Sequence, residues 1–265
     1  MRLCSIASGS SGNCIYVGSD RTHLLIDAGI SAKRVVQGVE ELGIKPEELS
    51  GILITHEHSD HIQGLGVLSR KYNIPIYGTR GTLQAVASCA SLGEYDKNLH
   101  RIIQTDEAFW IEDLNVQPFR ISHDAQEPCA YVVQKEEKRV AVATDMGTYD
   151  EYVIANLQNL NALLLESNHD VNMLQVGTYP YYLKQRILGD QGHLSNENAG
   201  RLLCRLLHDG MKAVHLGHLS KENNYEQLAY ETVNMEITLG DCPYKGSDFP
   251  IQVARRDRIS DIIYV

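Results

Sequence analysis

Short apolar runs separated by polar turns recur along the whole chain, and amphipathic segments lie between them. A run of four to eight apolar or alternating residues predicts a strand, whereas apolar residues spaced three and four apart predict a helix. The predicted strands are residues 3–7, 14–17, 23–26, 51–54, 75–78, 107–112, 116–121, 131–133, 140–143, 162–165, 214–217, 251–254 and 259–265. The pattern therefore predicts a protein that mixes strands with helices.

Helix signals stand between several of these strands. Ser31 is the predicted cap of a helix that Gly43 ends, and Ser59 is the predicted cap of a single helix whose apolar residues run from position 62 to position 72. Ser195 precedes another amphipathic helix, and two more are predicted over residues 81–92 and 225–239. The polar residues just before Ser59 and Ser195 therefore lie at helix starts.

The length and composition are those of an ordinary globular protein. The 265 residues suffice for a large core, and neither a repeat nor a linker divides them, so a single domain over residues 1–265 is predicted. No signal peptide pattern stands at the start, and no apolar run approaches the roughly 18 residues of a membrane span. The six cysteines lack paired short spacing. We therefore expect reduced thiols and a cytoplasmic protein without a membrane partner.

The charge balance is acidic. A formal net charge of −10 argues against a protein that binds polyanions over its whole surface, because such proteins usually carry a basic face. A local basic track is still compatible with this balance. Two divalent cations at one site would also add about four positive charges there, so an acidic protein could attract phosphate to that site.

The densest cluster of chemical groups is the sequence Thr-His-Glu-His-Ser-Asp-His at residues 55–61, directly after a predicted strand. His56 and His58 are two residues apart, so their rings point the same way on an extended segment. Asp60 and His61 turn back toward the same point from the start of the next helix. Imidazoles and carboxylates bind zinc, manganese or iron, and this order offers enough ligands for two ions. A merely solvated loop would leave these groups unpaired beside a buried strand end, at a considerable desolvation cost.

This cluster resembles the His-x-His-x-Asp-His motif of the metallo-β-lactamase fold superfamily, and the match is complete from His56 to His61. The resemblance implies an αββα sandwich, in which two facing mixed β-sheets are flanked by helices. It also implies that the metal ions lie at a sheet edge, where the loops that follow several strands converge.

The same resemblance implies functions for residues at the ends of other predicted strands. Asp27 would orient the ligating histidines without binding a metal ion itself. His123 would be the next ligand, and Asp145 would bridge two ions. His218 matches the last motif and is the predicted metal ligand, and His215 is the alternative ligand. The implied ligand sets are His56, His58 and His123 for one ion, Asp60, His61 and His218 for the other, and Asp145 between them. Aspartate at position 145, where the lactamase branch has cysteine, favours phosphoester chemistry with manganese, iron or zinc.

A finer resemblance is to the YycJ/WalJ-type family, which is similar at residues 8–13, 165–170, 192–196 and 218–220. It implies a bacterial 5′-to-3′ exonuclease that acts on DNA, with a role in mismatch repair, and RNA is the alternative polymer. The interval between Asp145 and His218 is too short for the large inserted domain of β-CASP nucleases. Which surface grips the nucleic acid is therefore open.

Two residues are the candidates for proton transfer in phosphodiester hydrolysis. Asp60 could accept the proton of the attacking water, and His193, beside the predicted helix start at Ser195, could protonate the leaving oxygen. Two other functions fit the same ligands. One is a small-molecule hydrolase, either a cyclic phosphodiesterase or a thioesterase of glyoxalase II type, and the other is a non-catalytic metal-binding regulator.

Three further stretches have more than one interpretation. Residues 8–13, Ser-Gly-Ser-Ser-Gly-Asn, could offer donors to a phosphate, although a plain hairpin loop is favoured. Residues 179–186 interleave tyrosines with Lys184 and Arg186, which suits either stacking on bases or an aromatic contact between helices. The run Arg-Arg-Asp-Arg at residues 255–258 is typical of an exposed turn.

Overall fold

The computed structural model describes residues 1–265 and contains fourteen strands and nine α-helices. The strands are β1 (Arg2–Ala7), β2 (Cys14–Gly18), β3 (His23–Ile26), β4 (Leu49–Leu53), β5 (Ile76–Gly78), β6 (His100–Ile102), β7 (Phe109–Ile111), β8 (Leu114–Arg120), β9 (Cys129–Lys135), β10 (Lys138–Ala143), β11 (Ala162–Glu166), β12 (Ala213–Gly217), β13 (Ile251–Val253) and β14 (Ile263–Tyr264). The helices are α1 (Ala32–Glu41), α2 (Ser59–Ile62), α3 (Leu65–Tyr72), α4 (Arg80–Ser88), α5 (Glu151–Asn156), α6 (Val171–Val176), α7 (Tyr181–Leu188), α8 (Asn196–Leu206) and α9 (Glu226–Leu239).

The strands form two seven-stranded mixed sheets. The first has the order β14-β1-β2-β3-β4-β5-β6 and the second the order β13-β12-β11-β10-β9-β8-β7. In the first sheet β3, β4, β5 and β6 are parallel, and in the second β10, β11, β12 and β13 are parallel. Parallel neighbours end at the same edge of a sheet, which is where ligands bind in such folds.

Three apolar cores make the four layers of the predicted αββα sandwich. The core between the sheets has 19 buried residues from both of them, among them Ile15, Leu24, Tyr131 and Val142. A second core joins the first sheet to α1, α3 and α4. A third joins the second sheet to α5, α8 and α9. The hydroxyl of Tyr131 also crosses between the sheets and donates to the carbonyl of Ile54 at 2.7 Å.

The prediction of one helix after Ser59 is wrong in two respects. His58 is the cap residue and Ser59 is the first helical residue, and the helix stops at Ile62 before α3 begins at Leu65. The break lies where Gly64 packs on the turn before α1, because a Cβ at Gly64 would lie 2.3 Å from the Ile30 carbonyl oxygen. The close backbone contact therefore interrupts a continuous apolar pattern.

Other predicted elements differ mainly at their ends. The predicted helix over residues 81–92 stops at Ser88, and the last predicted strand shortens to Ile263–Tyr264. The sequence pattern did not predict β6 or α5. Ser31 and Ser195 both occupy the predicted N-cap positions, but only the Ser195 hydroxyl makes a capping bond, which it accepts from the Asn198 N–H at 3.2 Å. None of the nine helices is long and apolar enough to cross a bilayer.

A close backbone contact holds α2 in place. Gly29 lies in the turn after β3, and a Cβ there would lie 1.6 Å from the carbonyl oxygen of Asp60. The same oxygen accepts a bond from the Asn13 N–H at 2.8 Å, and the Ala28 N–H donates to the His61 carbonyl at 2.8 Å. The position of Asp60 and His61 therefore depends on a glycine in the preceding turn.

We expect Gly29→Ala to lower the free energy of unfolding by about 3 kcal/mol or more, because a backbone oxygen cannot move aside as a flexible side chain can. The matched control is Gly43→Ala. Gly43 has a φ of 76° with open space around it, so the cost there is only the left-handed backbone, about 1 kcal/mol. Urea denaturation followed by circular dichroism measures both, and equal losses would contradict the contact.

Candidate metal centre

The ends of six strands from both sheets deliver one cluster of polar side chains. Asp27 follows β3, and the sequence from Thr55 to His61 follows β4. From the second sheet, His123 follows β8, Asp145 follows β10, Glu166 ends β11 and His218 follows β12. Four overlapping groups of these side chains bring their ligand atoms within 4.8 Å of one another, and the groups are His56, His58 and His123; Asp60, His61 and His218; His56, His61 and Asp145; Asp145, Glu166, His193 and His218.

Three of these side chains are aimed by an unusual backbone conformation. Asp27, Asp145 and His218 have φ values of 62°, 58° and 53°. This left-handed region is uncommon for residues other than glycine and costs free energy, so it persists only where the surrounding structure enforces it. Each residue lies within two positions of a strand end. The chain therefore turns sharply there and points the side chain into the cluster.

In each of four histidines, one ring nitrogen forms a hydrogen bond to an oxygen, and the other ring nitrogen faces the cluster. His61 Nδ1 lies 2.7 Å from Asp27 Oδ2, and His218 Nδ1 lies 2.8 Å from Glu166 Oε1. His123 Nδ1 lies 3.1 Å from the Gly192 carbonyl. Because these oxygens only accept, Nδ1 carries the proton of the neutral ring, and the lone pair of Nε2 is then the one that could bind a metal ion.

The fourth imidazole is oriented through Thr55. The Thr55 hydroxyl donates its hydrogen to Asp27 Oδ2 at 2.8 Å. In its contact with His56 Nδ1, at 3.0 Å, the hydroxyl must therefore be the acceptor. Asp27 also accepts the Thr55 N–H at 2.9 Å. The buried Asp27 carboxylate thus orients both His61 and His56. An oxygen that orients a metal-binding imidazole in this way is the usual support of a metal site.

Asp145 is the buried carboxylate in the middle of the cluster. Its Oδ2 lies 3.2 Å from His61 Nε2 without hydrogen-bond geometry, and its Oδ1 lies 3.3 Å from His218 Nδ1. Its Oδ1 is also 3.8 Å from His123 Nε2. The carboxylate therefore lies between the histidine group that includes His123 and the group that includes His61 and His218.

Acidic and imidazole groups shift one another's pKa strongly here. Burial acts against charge on His218, but Asp145, Asp60 and Glu166 outweigh it and raise its pKa to about 10. Burial also acts against charge on Glu166, but His193 and His218 outweigh it and lower its pKa to about 2. Burial lowers the pKa of His56 well below its usual range. The carboxylates therefore attract positive charge, which protons supply when no cation does.

Two buried polar atoms in the cluster lack any hydrogen-bond partner. They are His56 Nε2 and Asp145 Oδ2, and both face the other ligand atoms. An unpaired polar atom buried away from water is costly. A divalent cation would give both atoms a partner and neutralise the carboxylates, so this donor set fits a metal site. Imidazole and carboxylate ligands suit zinc, manganese or iron.

Glu166 is a residue that the sequence analysis did not single out. Its Oε1 accepts bonds from His218 and His193, each at 2.8 Å, and its Oε2 accepts the N–H groups of Met146 and Leu194 at 2.8 and 3.1 Å. One feature of the sequence could have identified it. Glu166 ends an apolar run, and a strand parallel to β10 would place its last residue at the same sheet edge as Asp145.

His193 lies in the cluster, two residues before Ser195, which caps α8. Its ring bonds to Glu166 and lies 5.2 Å from the rings of both His123 and His218, centroid to centroid. The alternative ligand His215 is buried in β12 and is absent from all four ligand groups.

The cluster opens to solvent on one side. The side chains of His58, Asp60 and His193 are 31%, 25% and 17% exposed, whereas the other ligand candidates are almost fully buried. At the rim beside His58, the guanidinium of Arg186 makes a two-bond ion pair with Asp124. Asp124 Oδ1 also lies 3.5 Å from His123 Nε2. A substrate must reach the centre from this side.

The stretch of residues 179–186 does not make an aromatic contact between helices. Tyr181 and Tyr182 at the start of α7 are 76% and 74% exposed. The Lys184 ammonium is used within the protein, because it donates to the carbonyls of Gln175 and Gly177, each at 2.7 Å. Of the two cations in this stretch, only Arg186 therefore reaches the rim of the centre.

Comparison with known proteins supports the same fold. Residues 22–216 match the model of a family described as the beta-lactamase superfamily domain. The chain is 41% identical over 246 residues to exodeoxyribonuclease WalJ of Streptococcus pneumoniae, covering 93% of this chain and 91% of that one. It is 40% identical over 232 residues to exodeoxyribonuclease YycJ of Bacillus anthracis, covering 88% and 87%.

A solved structure shows a similar fold at much lower sequence identity. The metallo-beta-lactamase fold protein YhfI from Bacillus subtilis superposes with a TM-score of 0.70 at 15% identity, covering 98% of each chain. At that identity the likeness concerns the fold alone. The two mixed sheets with outer helices are therefore the arrangement of that fold.

We expect manganese or zinc to stabilise the folded protein, because a cation satisfies the two orphaned atoms. At a free metal concentration of 100 times Kd, the gain is about 2.7 kcal/mol, which appears as a higher Tm in a thermal scan. A chelator should reverse the shift, and Asp145→Ala should reduce it. A Tm that does not respond to manganese, zinc or iron would contradict a metal site.

We expect Glu166→Gln to weaken metal binding about tenfold or more, because an amide no longer holds the His218 and His193 rings through one charged oxygen. Competition with a coloured chelator measures the affinity, and circular dichroism checks the fold. Glu151→Gln is the matched control, since Glu151 is an exposed residue on α5 that pairs with Arg205. Equal metal affinity in both variants would show that Glu166 does not position the ligands.

Proposed function

Because the chain belongs to the metallo-β-lactamase fold superfamily and, within it, to the family of the WalJ and YycJ exodeoxyribonucleases, we propose that it is a metal-dependent phosphodiesterase that degrades DNA from an end. It is a hydrolase by its fold and by its family. The observation that carries the proposal is the meeting of seven ligand candidates from four separate parts of the chain at one sheet edge, with their metal-binding atoms facing one another.

The proposed cofactor is a pair of divalent ions, manganese, zinc or iron. His56, His58 and His123 would hold one ion and Asp60, His61 and His218 the other, with Asp145 between them. Asp27 would support this set through His61 and Thr55. The aspartate at position 145 is a hard ligand, and it supports manganese or iron as well as zinc. Two such ions would lower the pKa of a shared water and stabilise negative charge on the attacked phosphate.

The chain's own residues would bind the substrate and move its protons. Asp60 is the partly exposed carboxylate of the centre, with Oδ2 3.4 Å from His218 Nε2. We assign it to the attacking side, where it would receive the proton of the water. His193 is held through Nδ1 by Glu166, so in its doubly protonated form the ring would present an Nε2–H at the mouth. We assign it to the leaving oxygen, which it would protonate.

The substrate class follows from the relatives. Both are named exodeoxyribonucleases and match most of this chain, which supports DNA over RNA or a small phosphodiester. The 5′-to-3′ direction and a role in mismatch repair are parts of the proposal that rest on the family resemblance. Because cellular DNA in bacteria lies in the cytoplasm, the exodeoxyribonuclease names of the relatives support action there.

A substrate panel tests the proposal. Duplex DNA, single-stranded DNA, RNA and bis-para-nitrophenyl phosphate would each be incubated with manganese and with chelator. We expect DNA labelled at one end to shorten from an end in the presence of metal only. Turnover of the small ester alone would favour a small-molecule phosphodiesterase, and thioester hydrolysis would favour an enzyme of glyoxalase II type. Metal binding without any turnover would favour a regulator.

We expect His58→Ala and Asp145→Ala each to lower the rate of DNA hydrolysis by more than about 100-fold. Each change removes a proposed metal ligand itself, and not merely a residue that orients a ligand. His100→Ala is the control, since His100 lies on the edge strand β6 and bonds to Tyr95. Circular dichroism would check that the variants remain folded. Retained activity in both ligand variants would refute the assignment.

A further inference from the structure

Arg256 lies against the glycine-rich loop of residues 8–13, on the Asp60 side of the metal centre. Its Nη1 lies 3.3 Å from the Ser10 hydroxyl and 3.4 Å from the Ser11 hydroxyl, and its Nη2 donates to the Leu219 carbonyl at 2.8 Å. The sequence favoured a plain hairpin for the loop over a set of donors to a phosphate, and an exposed turn for the run around Arg256. The structure brings the two stretches together.

The loop is part of the wall of the centre. The Ser8 hydroxyl accepts a bond from the His218 N–H at 2.8 Å, and the Asn13 amide nitrogen lies 3.2 Å from His61 Nε2. The Asn13 N–H donates to the carbonyl of Asp60 at 2.8 Å. Arg256 is therefore connected to the centre in two ways. It donates to the carbonyl of Leu219, which follows the ligand candidate His218, and it contacts the loop that packs against the centre.

The guanidinium of Arg256 forms no ion pair, although Asp257 and Glu222 are acidic neighbours. No carboxylate oxygen lies within 4.0 Å of its guanidinium, whereas Arg255 pairs with Glu226 at 3.6 Å and Arg186 pairs with Asp124. The guanidinium is held instead by two hydroxyls and a carbonyl, and the side chain is half-buried. In a protein with a net charge of −10, a fixed and unpaired arginine beside the catalytic mouth requires an explanation.

The loop geometry provides hydroxyl donors next to this charge. Ser10 and Ser11 are exposed at the tip of the loop, and because their oxygens accept from Arg256 their hydrogens remain free to donate. Glycine allows the close approach, since a Cβ at Gly9 would lie 3.0 Å from Arg256 Nη1. Gly12 has a φ of 147°, and its Cβ would lie 2.5 Å from the Gly29 carbonyl. The loop therefore keeps this shape only with glycine.

We propose that Arg256, Ser10 and Ser11 form a binding site for a phosphate group of the DNA strand that is being cut, next to the phosphodiester at the metal centre. Arginine and hydroxyl donors together are the groups that contact DNA phosphates, and the charge-assisted bond of a guanidinium to phosphate is a strong one. This inference rests on the proposed function. It adds a contact that holds the strand beside the centre, although the surface as a whole repels polyanions.

The experiment compares Arg256→Gln with Arg258→Gln. Arg258 is the matched control, because it has the same charge two residues away and is exposed. With the metal-loaded enzyme we expect Arg256→Gln to raise KM for DNA about tenfold. The slope of log KM against log salt should also fall by about one. The ratio of kcat/KM for DNA to kcat/KM for bis-para-nitrophenyl phosphate should fall about tenfold, and Arg258→Gln should leave this ratio unchanged.

A second variant separates phosphate binding from simple bracing of the loop. Ser11→Asp places a carboxylate beside Arg256, which keeps the loop braced by an ion pair but cancels the positive charge. We expect an unchanged or higher Tm together with the same rise in KM for DNA. If Arg256 only braces the loop, Ser11→Asp will keep the KM of the wild type, and the inference is then wrong. This variant also decides the matter if Arg256→Gln does not fold.

DNA with a 5′-phosphate and DNA with a 5′-hydroxyl identify which phosphate binds. If the site takes the terminal phosphate, wild type prefers the phosphorylated end and Arg256→Gln loses the preference. If it takes a phosphate within the strand, the variant affects both substrates equally. Turnover of neither DNA nor the small ester by wild type would overturn the proposed function itself. Turnover of both with no effect of Arg256→Gln and Ser11→Asp would overturn only this inference.

Discussion

The central constraint is the packing of carboxylates and imidazoles into a largely buried cluster at one sheet edge. Each group would prefer water, and burial penalises its charged form. The cluster is stable because an outer layer of oxygens fixes the rings: Asp27 holds His61 directly and His56 through Thr55, and Glu166 holds His218. What these supports cannot provide is a partner for the inward-facing atoms. The proposed cations would provide it, so the fold and its proposed cofactor would depend on each other.

The two sheets contribute to this arrangement in similar ways. In each sheet a set of parallel strands ends at the shared edge, and residues in the left-handed conformation turn the chain directly after the strands. The strain at these residues is compensated by the apolar core between the sheets and by tight contacts such as that of Gly29 with Asp60. Ligand geometry is therefore a property of the whole sandwich, because neither sheet alone carries a complete ligand set.

The proposed action on DNA requires this acidic protein to overcome repulsion between like charges. Here the positive charge is local: the proposed cations lie at the centre, Arg186 is at the rim beside His58, and Arg256 lies beside the loop on the Asp60 side. Arg186 is already paired with Asp124, whereas Arg256 has no carboxylate partner. An arginine without an ion-pair partner next to the centre would favour binding of a strand at the mouth over binding elsewhere on the surface.

The sequence alone determined the features that depend on spacing within one segment. The His-x-His-x-Asp-His order, the strands before it, the cap of α8 and the start of α1 are local features, so the sequence predicted them directly. The resemblance to a known family supplied the distant ligands. Glu166 and Arg256 were different, because a glutamate ending a strand and an arginine in a charged run have ordinary local patterns. Only the tertiary structure decided their surroundings, since their partners lie 52 and 246 positions away, and no local pattern encodes such a contact.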